Sequence, residues 1–279
     1  MFRIILSVFA LVVLLSGGVR AEEPVVRLYT LDCGSVTVLD VDIMDDTDSY
    51  GGASKELVAS CYLIQHGDDY MIWDAGFDPA AIQGAQPSDM FYPRVKKTIA
   101  ESLMVLGLGP ADIGKIGVSH AHFDHIGQAN VFKDATLLIG REDYEGVFTT
   151  GERLEVFHHA PPLLSEWADG ENVIKADGDY DVFGDGSVVM LAMPGHTPGH
   201  MALQVTLPKS GVVILSGDLY HFRENFEHGR MPDFNVGRAE TLASFERMKK
   251  IVAERNARFI IQHDPRDFAT MPVFPAYLD

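Results

Sequence analysis

Ser119-His120-Ala121-His122-Phe123-Asp124-His125 places three imidazoles and one carboxylate within six residues, directly after the apolar run Ile116–Val118. That run reads as a buried strand, so the polar cluster sits where the strand opens into a loop. On a loop the side chains need not alternate faces, and His120, His122, Asp124 and His125 can splay towards two adjacent points. Neutral imidazole and carboxylate suit zinc and related divalent metals. Four further apolar runs end in residues of the same types. Asp74 follows Tyr70–Trp73, His196 follows Val188–Ala192, Asp218 follows Val212–Leu215, and His263 follows Phe259–Ile261. Alone, a strand-end aspartate is more often a turn former and a single histidine a satisfied core residue. Together with the central cluster they supply five histidines and three acids, enough for two metal sites.

The elements that must position these residues can be read in order. Val25–Leu31 reads as a first strand, and Asp32, Asp40, Asp42, Asp45, Asp46 and Asp48 then read as a solvated acidic loop. A calcium loop is disfavoured there because its glycine and terminal glutamate are missing. Leu57–Gln65 and Tyr70–Trp73 flank Gly67-Asp68-Asp69 as a hairpin. Apolar residues at Val95, Ile99, Leu103 and Leu106 predict an amphipathic helix over Lys96–Leu106, stopped by Gly107. Thr136–Ile139 reads as a strand and Arg141–Val147 as a helix. Phe148–Gly170 lacks periodicity and suits a lid or access loop, with His158 and His159 as surface or wall residues. Short strands resume from Val173, including Met201–Val205. A helix over Arg238–Arg255 should turn Leu242, Phe245, Met248 and Val252 inward, and Phe259–Ile261 reads as the final strand. Strands and helices recur in two similar halves without a linker, which predicts one α/β domain of two packed sheets with helices outside.

Arg3, the twelve-residue run Ile4–Leu15 with only Ser7 polar, and small residues up to Ala21 read as a secretory signal over 1–21. The run falls short of the ~20 residues of a membrane span. The mature domain would then be 22–279, secreted or periplasmic, with no membrane partner after cleavage. Asp and Glu number 40 against 22 Lys and Arg, for a net charge of −18. Such acidity argues against nucleic acid and anionic membranes, and favours a neutral small molecule as partner. Cys33 and Cys61 are the only cysteines. A disulfide, permitted in an oxidising compartment, and two buried free thiols are both open readings.

The run His120–His125 matches without a gap the His-x-His-x-Asp-His motif of the metallo-β-lactamase superfamily, which the chain resembles. The resemblance implies an αβ/βα sandwich of two mixed β-sheets with helices on the outer faces. It implies a first metal held by His120, His122 and His196, and a second held by Asp124, His125 and His263. Asp218 would bridge them and Asp74 would orient a ligand histidine. Two divalent cations are implied, zinc first among them, with cobalt, manganese and iron left open. Within the superfamily the chain looks most like the N-acyl-homoserine lactonases. That likeness runs through Arg27-Leu28-Tyr29, Cys61-Tyr62-Leu63, His196-Thr197-Pro198-Gly199-His200, Arg223-Glu224-Asn225-Phe226-Glu227 and Phe274-Pro275-Ala276-Tyr277.

One departure bears on the chemistry. These lactonases carry a tyrosine three residues after the bridging aspartate, at the substrate carbonyl or ring oxygen. Here Tyr220 lies two residues after Asp218 and His221 occupies the third position, so either could serve. The implied reaction is metal-assisted hydrolysis: shared cations generate hydroxide and polarise an ester or lactone carbonyl. Tyr220 or His221 would stabilise the oxyanion, and Asp124 would pass the proton to the leaving oxygen. No Gly-x-Ser-x-Gly offers a serine route. Other readings are a superfamily esterase acting on organophosphates, aryl esters or thioesters, and a periplasmic metal-binding protein without catalysis.

Overall fold

The computed structural model describes residues 24–148 and 155–279, and the expected signal segment 1–21 lies outside them. The described strands are β1 (Val26–Val38), β2 (Lys55–His66), β3 (Asp69–Trp73), β4 (Phe91–Arg94), β5 (Lys115–Gly117), β6 (Thr136–Gly140) and β7 (Val173–Ala176). They continue with β8 (Tyr180–Asp181), β9 (Val188–Ala192), β10 (Met201–Leu207), β11 (Gly211–Leu215), β12 (Arg258–Ile260) and β13 (Tyr277–Leu278). The helices are α1 (Ile99–Leu103), α2 (Phe123–Ile126), α3 (Arg141–Phe148), α4 (Ala160–Leu163), α5 (Arg223–His228), α6 (Arg238–Arg255) and α7 (Pro265–Phe268).

One sheet runs β13-β1-β2-β3-β5-β6-β7, with β4 also on β1, and the other runs β12-β11-β10-β9-β8. Both are mixed: β3, β5, β6 and β7 are mutually parallel, as are β11 and β12, while the other pairs are antiparallel. Leu28, Ile64, Met71, Trp73, Met190, Leu203, Val205 and Val213 fill the space between the sheets. Ile99, Leu103, Tyr144 and Trp167 cover the outer face of the first sheet, and Phe245 and Met248 cover that of the second. This is the expected helix–sheet–sheet–helix sandwich of two mixed sheets. Such burial is non-directional and sets the layers without fixing their register. The site residues lie beyond the C-terminal ends of β3, β5, β9, β11 and β12, along one edge of the sandwich.

The hairpin, the central strand and the span of α6 match the sequence reading. Several details differ. β1 runs on through Asp32 to Val38, bulging between Asp32 and Ser35, because Val36 and Val38 have an apolar pocket to enter. Gly34 makes the bulge possible at φ 124°, where a Cβ would meet the Arg94 carbonyl at 2.4 Å. The acidic loop is tied down at Asp42, Asp45 and Asp46, while Asp32 and Asp48 stay exposed as expected. Asp45 is fully buried 3.0 Å from Arg230, and Asp46 pairs with Arg238. The predicted helix over Lys96–Leu106 starts only at Ile99, because Thr98 caps it in a box with Glu101, and it closes as a 3₁₀ turn. In α6, Leu242 is 43% exposed and Thr241 and Ser244 turn inward. They lie on the Pro194–Gly195 turn, where Ser244 Oγ donates to the Pro194 carbonyl at 2.7 Å. The final strand is β13, paired with β1, a two-residue edge too short to read. Cys33 and Cys61 are joined in a disulfide, with Cα atoms 5.8 Å apart.

Candidate metal centre

β5 ends at Gly117, the chain opens at Ser119, and α2 begins at Phe123. His120 and His122 therefore leave an extended segment while Asp124 and His125 leave a helical turn, which sends the four side chains to two places. Asp218 stands between them. Its Oδ2 lies 3.7 Å from His120 Nε2 and 3.3 Å from His196 Nε2. Its Oδ1 lies 3.0 Å from His125 Nε2 and 2.9 Å from His263 Nε2. His122 Nδ1 is 3.0 Å from His196 Nε2, and Asp124 Oδ2 is 3.7 Å from His125 Nε2 and 3.6 Å from His263 Nε2. Two donor sets result, His120–His122–His196–Asp218 and Asp124–His125–His263, each with its ligand atoms within 4.8 Å of one another.

The chemistry of these groups fits divalent cations. Burial, with help from neighbouring imidazoles, holds His120 and His122 well below the usual histidine range, leaving their lone pairs free. His120 Nε2 is buried without a hydrogen-bond partner in the protein while facing Asp218. Burial would also lower His125 and His263, but Asp218 outweighs it and raises both, with Asp74 and Asp124 adding at His125. Burial likewise opposes ionisation of Asp218, yet His125 and His263 keep its carboxyl well below the carboxylate range. The second set is thus a concentrated negative field, which a cation would neutralise.

Other residues aim these side chains. Asp74 Oδ2 lies 3.0 Å from His125 Nδ1 and its Oδ1 accepts from the Ser119 amide at 2.6 Å. Ser119 Oγ, a role the sequence reading missed, lies 3.0 Å from His120 Nδ1 and 3.1 Å from His125 Nδ1. His263 Nδ1 donates to the Val58 carbonyl at 2.6 Å. His200 donates from Nδ1 to the Met193 carbonyl and accepts the Asp218 amide at Nε2, 2.9 Å away, with burial pulling its pKa down to about 3. Asp143, on α3, accepts from the amides of Ala121 and Gly199 and from the Thr197 hydroxyl. It clamps the loop of His120 and His122 to the loop of His196. Burial pushes its carboxyl up to about 6.

The centre forms the floor of a cavity of about 430 Å³. Val36, Leu57, Phe77, Phe91 and Phe234 make its walls apolar, and Asp124 opens into it. Glu155, His158 and His159 form another wall, so the described part of the 148–170 segment borders the cavity and its two histidines are wall residues. Tyr220 is absent from this lining. It is buried in the core beneath α6, its ring stacked on Phe245 at 4.3 Å and 19°, its hydroxyl unpartnered and pushed up by burial. The structure thus corrects the reading in which Tyr220 could serve the substrate: a one-residue offset on an extended segment turns it to the opposite side. His221 takes the cavity side, with Nε2 3.1 Å from Asp218 Oδ2 and Nδ1 buried without a protein partner.

Comparisons with known proteins agree with this architecture. The model of the metallo-beta-lactamase superfamily matches residues 55–258, more than half of the chain. The N-acyl homoserine lactonase AttM of Azorhizobium caulinodans is 28% identical over 267 residues, covering 91% of this chain and 99% of that protein. The N-acyl homoserine lactonase of Bacillus cereus is 29% identical over 260 residues, covering 90% and 98%. Among solved structures, an N-acyl homoserine lactone hydrolase with N-hexanoyl-L-homoserine bound at its catalytic metal center has a TM-score of 0.74. It is 26% identical and covers 90% of this chain and 98% of its own.

Proposed function

Since the chain belongs to the metallo-beta-lactamase superfamily, we propose that it is a metal-dependent hydrolase that opens the lactone ring of N-acyl-homoserine lactones. The observation that carries this reading is one carboxylate, Asp218, turning its two oxygens to separate imidazole sets on the floor of an apolar cavity. The lactonases aligned over nearly the whole chain support the choice of substrate.

His120, His122 and His196 would hold one divalent cation, and Asp124, His125 and His263 a second, with Asp218 shared. Zinc is the ion these donors suit best. Bound there, the cations would supply Lewis acidity for the carbonyl and lower the pKa of water towards neutrality. Asp74 and Ser119 keep the ligand imidazoles aimed. The apolar walls take up the acyl chain and exclude water from around the ester. His221, as a neutral imidazole, has one N–H, at Nε2 beside Asp218, and would turn it to the substrate oxygen once cations take up the Asp218 carboxylate, in the place that a tyrosine fills in the lactonases. Asp124, the ligand carboxylate open to the cavity, carries a proton to the departing ring oxygen.

We read residues 22–279 as one exported hydrolase domain, a reading supported by the Cys33–Cys61 disulfide, which persists in oxidising compartments. A hydrolysis panel on metal-loaded protein tests the function. N-acyl-homoserine lactones of several chain lengths should turn over well above phosphotriesters and β-lactams, and chelation should abolish the activity. Faster turnover of a phosphotriester than of any lactone would move the enzyme to another ester class.

A further inference from the structure

We propose that Gln262 is the positioning residue that keeps Asp124, His125 and His263 in register with Asp218, an inference that rests on the metal-centre reading above. Gln262 follows β12 and is 1% exposed. Its Nε2 donates to Asp74 Oδ2 at 2.8 Å and to the Ser60 carbonyl at 3.4 Å. Its Oε1 accepts from Trp73 Nε1 at 3.1 Å and from the Gly217 amide at 2.9 Å. All four hydrogen-bonding positions of the amide are used, and two donors facing one end with two acceptors facing the other fix its orientation.

The partners are the supports of the second donor set. Asp74 aims His125, Gly217 precedes Asp218, and Gln262 itself precedes His263. The backbone joins the same web: Ser60 Oγ donates to the Gln262 carbonyl at 2.7 Å, and the Gln262 amide donates to Ser216 Oγ at 3.2 Å. Trp73, Asp74 and Ser60 belong to the first sheet or its end, whereas Gly217 and Gln262 extend the second. The apolar layer between the sheets holds them together without direction, so these directional bonds set the register of one strand end against the other. A residue present only as filler would be apolar, because an amide left unpaired in such a place costs ~1–3 kcal/mol. No bond of Gln262 reaches His120, His122 or His196, and its only tie towards the shared Asp218 is through the Gly217 amide, so its loss should fall more heavily on the cation of Asp124, His125 and His263.

Two variants separate positioning from packing. Gln262→Glu preserves volume and the bonds from Trp73 and Gly217 but sets a carboxylate against Asp74, and Gln262→Met removes all four bonds. Competition with a graded chelator, using zinc and then cobalt, should show one of two bound ions weakened by ~10-fold or more and the other much less, as loss of an outer support typically does. Metal-free Gln262→Glu should melt below wild type, because its buried carboxylate faces Asp74, and kcat of the metal-loaded variant should fall while KM holds. Unchanged affinity for both ions, or equal weakening of both, overturns the proposal. A wild-type chain that binds two ions yet hydrolyses no lactone would sink the lactonase reading and leave this one standing.

Discussion

Tyr220→Phe and His221→Ala should have opposite consequences, and the structure gives each a size. The Tyr220 ring is packed between Phe245, Phe226 and Phe259, and its hydroxyl is buried with nothing to bond. The phenylalanine variant keeps those contacts and removes only the unpaired oxygen. Relief of the burial penalty should stabilise the fold by ~1–3 kcal/mol. At roughly 2–4 °C per kcal/mol for a chain of this size, the melting temperature rises by a few degrees. Lactone turnover should not change. His221→Ala removes an imidazole at the cavity floor beside Asp218. Loss of a preorganised donor to the reacting oxygen costs ~10²–10³ in turnover, and metal content should remain at the wild-type level. Steady-state kinetics, elemental analysis and a thermal melt on both variants complete the test. A slow Tyr220→Phe enzyme beside an active His221→Ala enzyme would refute the assignment. Loss of metal from His221→Ala would refute it differently, by making the imidazole a ligand or its direct support.

Elemental analysis of the wild-type protein should find close to two divalent ions per chain, and one ion in fully active protein would rule out the paired centre. Asp143→Asn offers two acceptor sites at one oxygen and an amide NH₂ to the third donor, so at least one of three bonds fails. Urea denaturation should show a loss of ~1–3 kcal/mol, together with weaker metal binding at His120, His122 and His196, and an unchanged midpoint would contradict the clamp. Replacing Cys33 and Cys61 together by alanine opens a link of sequence separation 28, which loop-closure entropy values at ~3–4 kcal/mol. The same denaturation measures it, and an unaltered midpoint would mean the bond adds nothing.

The layers of the fold could be read because burial leaves a periodic mark. The β2–β3 hairpin emerged from two apolar runs flanking Gly67-Asp68-Asp69, and α6 from helical spacing. Where contacts rather than propensity decide, the pattern misleads. Leu242 sits at a good inward spacing on α6, but the turn at Pro194–Gly195 needs small polar partners and the helix rotates to give it Thr241 and Ser244. The acids near Asp45 resemble a solvated run because the arginines that bury them, Arg230 and Arg238, lie some two hundred residues away.

The site divides along the same line. Metal-binding residues announce themselves by chemistry, since five histidines and two acids at the ends of apolar runs have few other uses. The residues that aim them carry no such mark. Ser119, Asp143, His200 and Gln262 are ordinary polar residues in sequence, and each gains its task from what the fold sets beside it. His200 shows the point most sharply. It stands four residues from His196 with the same side chain, yet its Nε2 takes up the Asp218 amide and it turns into the fold as a buried neutral acceptor. Tyr220 and His221 repeat the lesson at adjacent positions. Neither residue type decides which of them meets the cavity. That follows from the extended backbone after Asp218, which turns one side chain towards Phe245 and the next towards the metal centre.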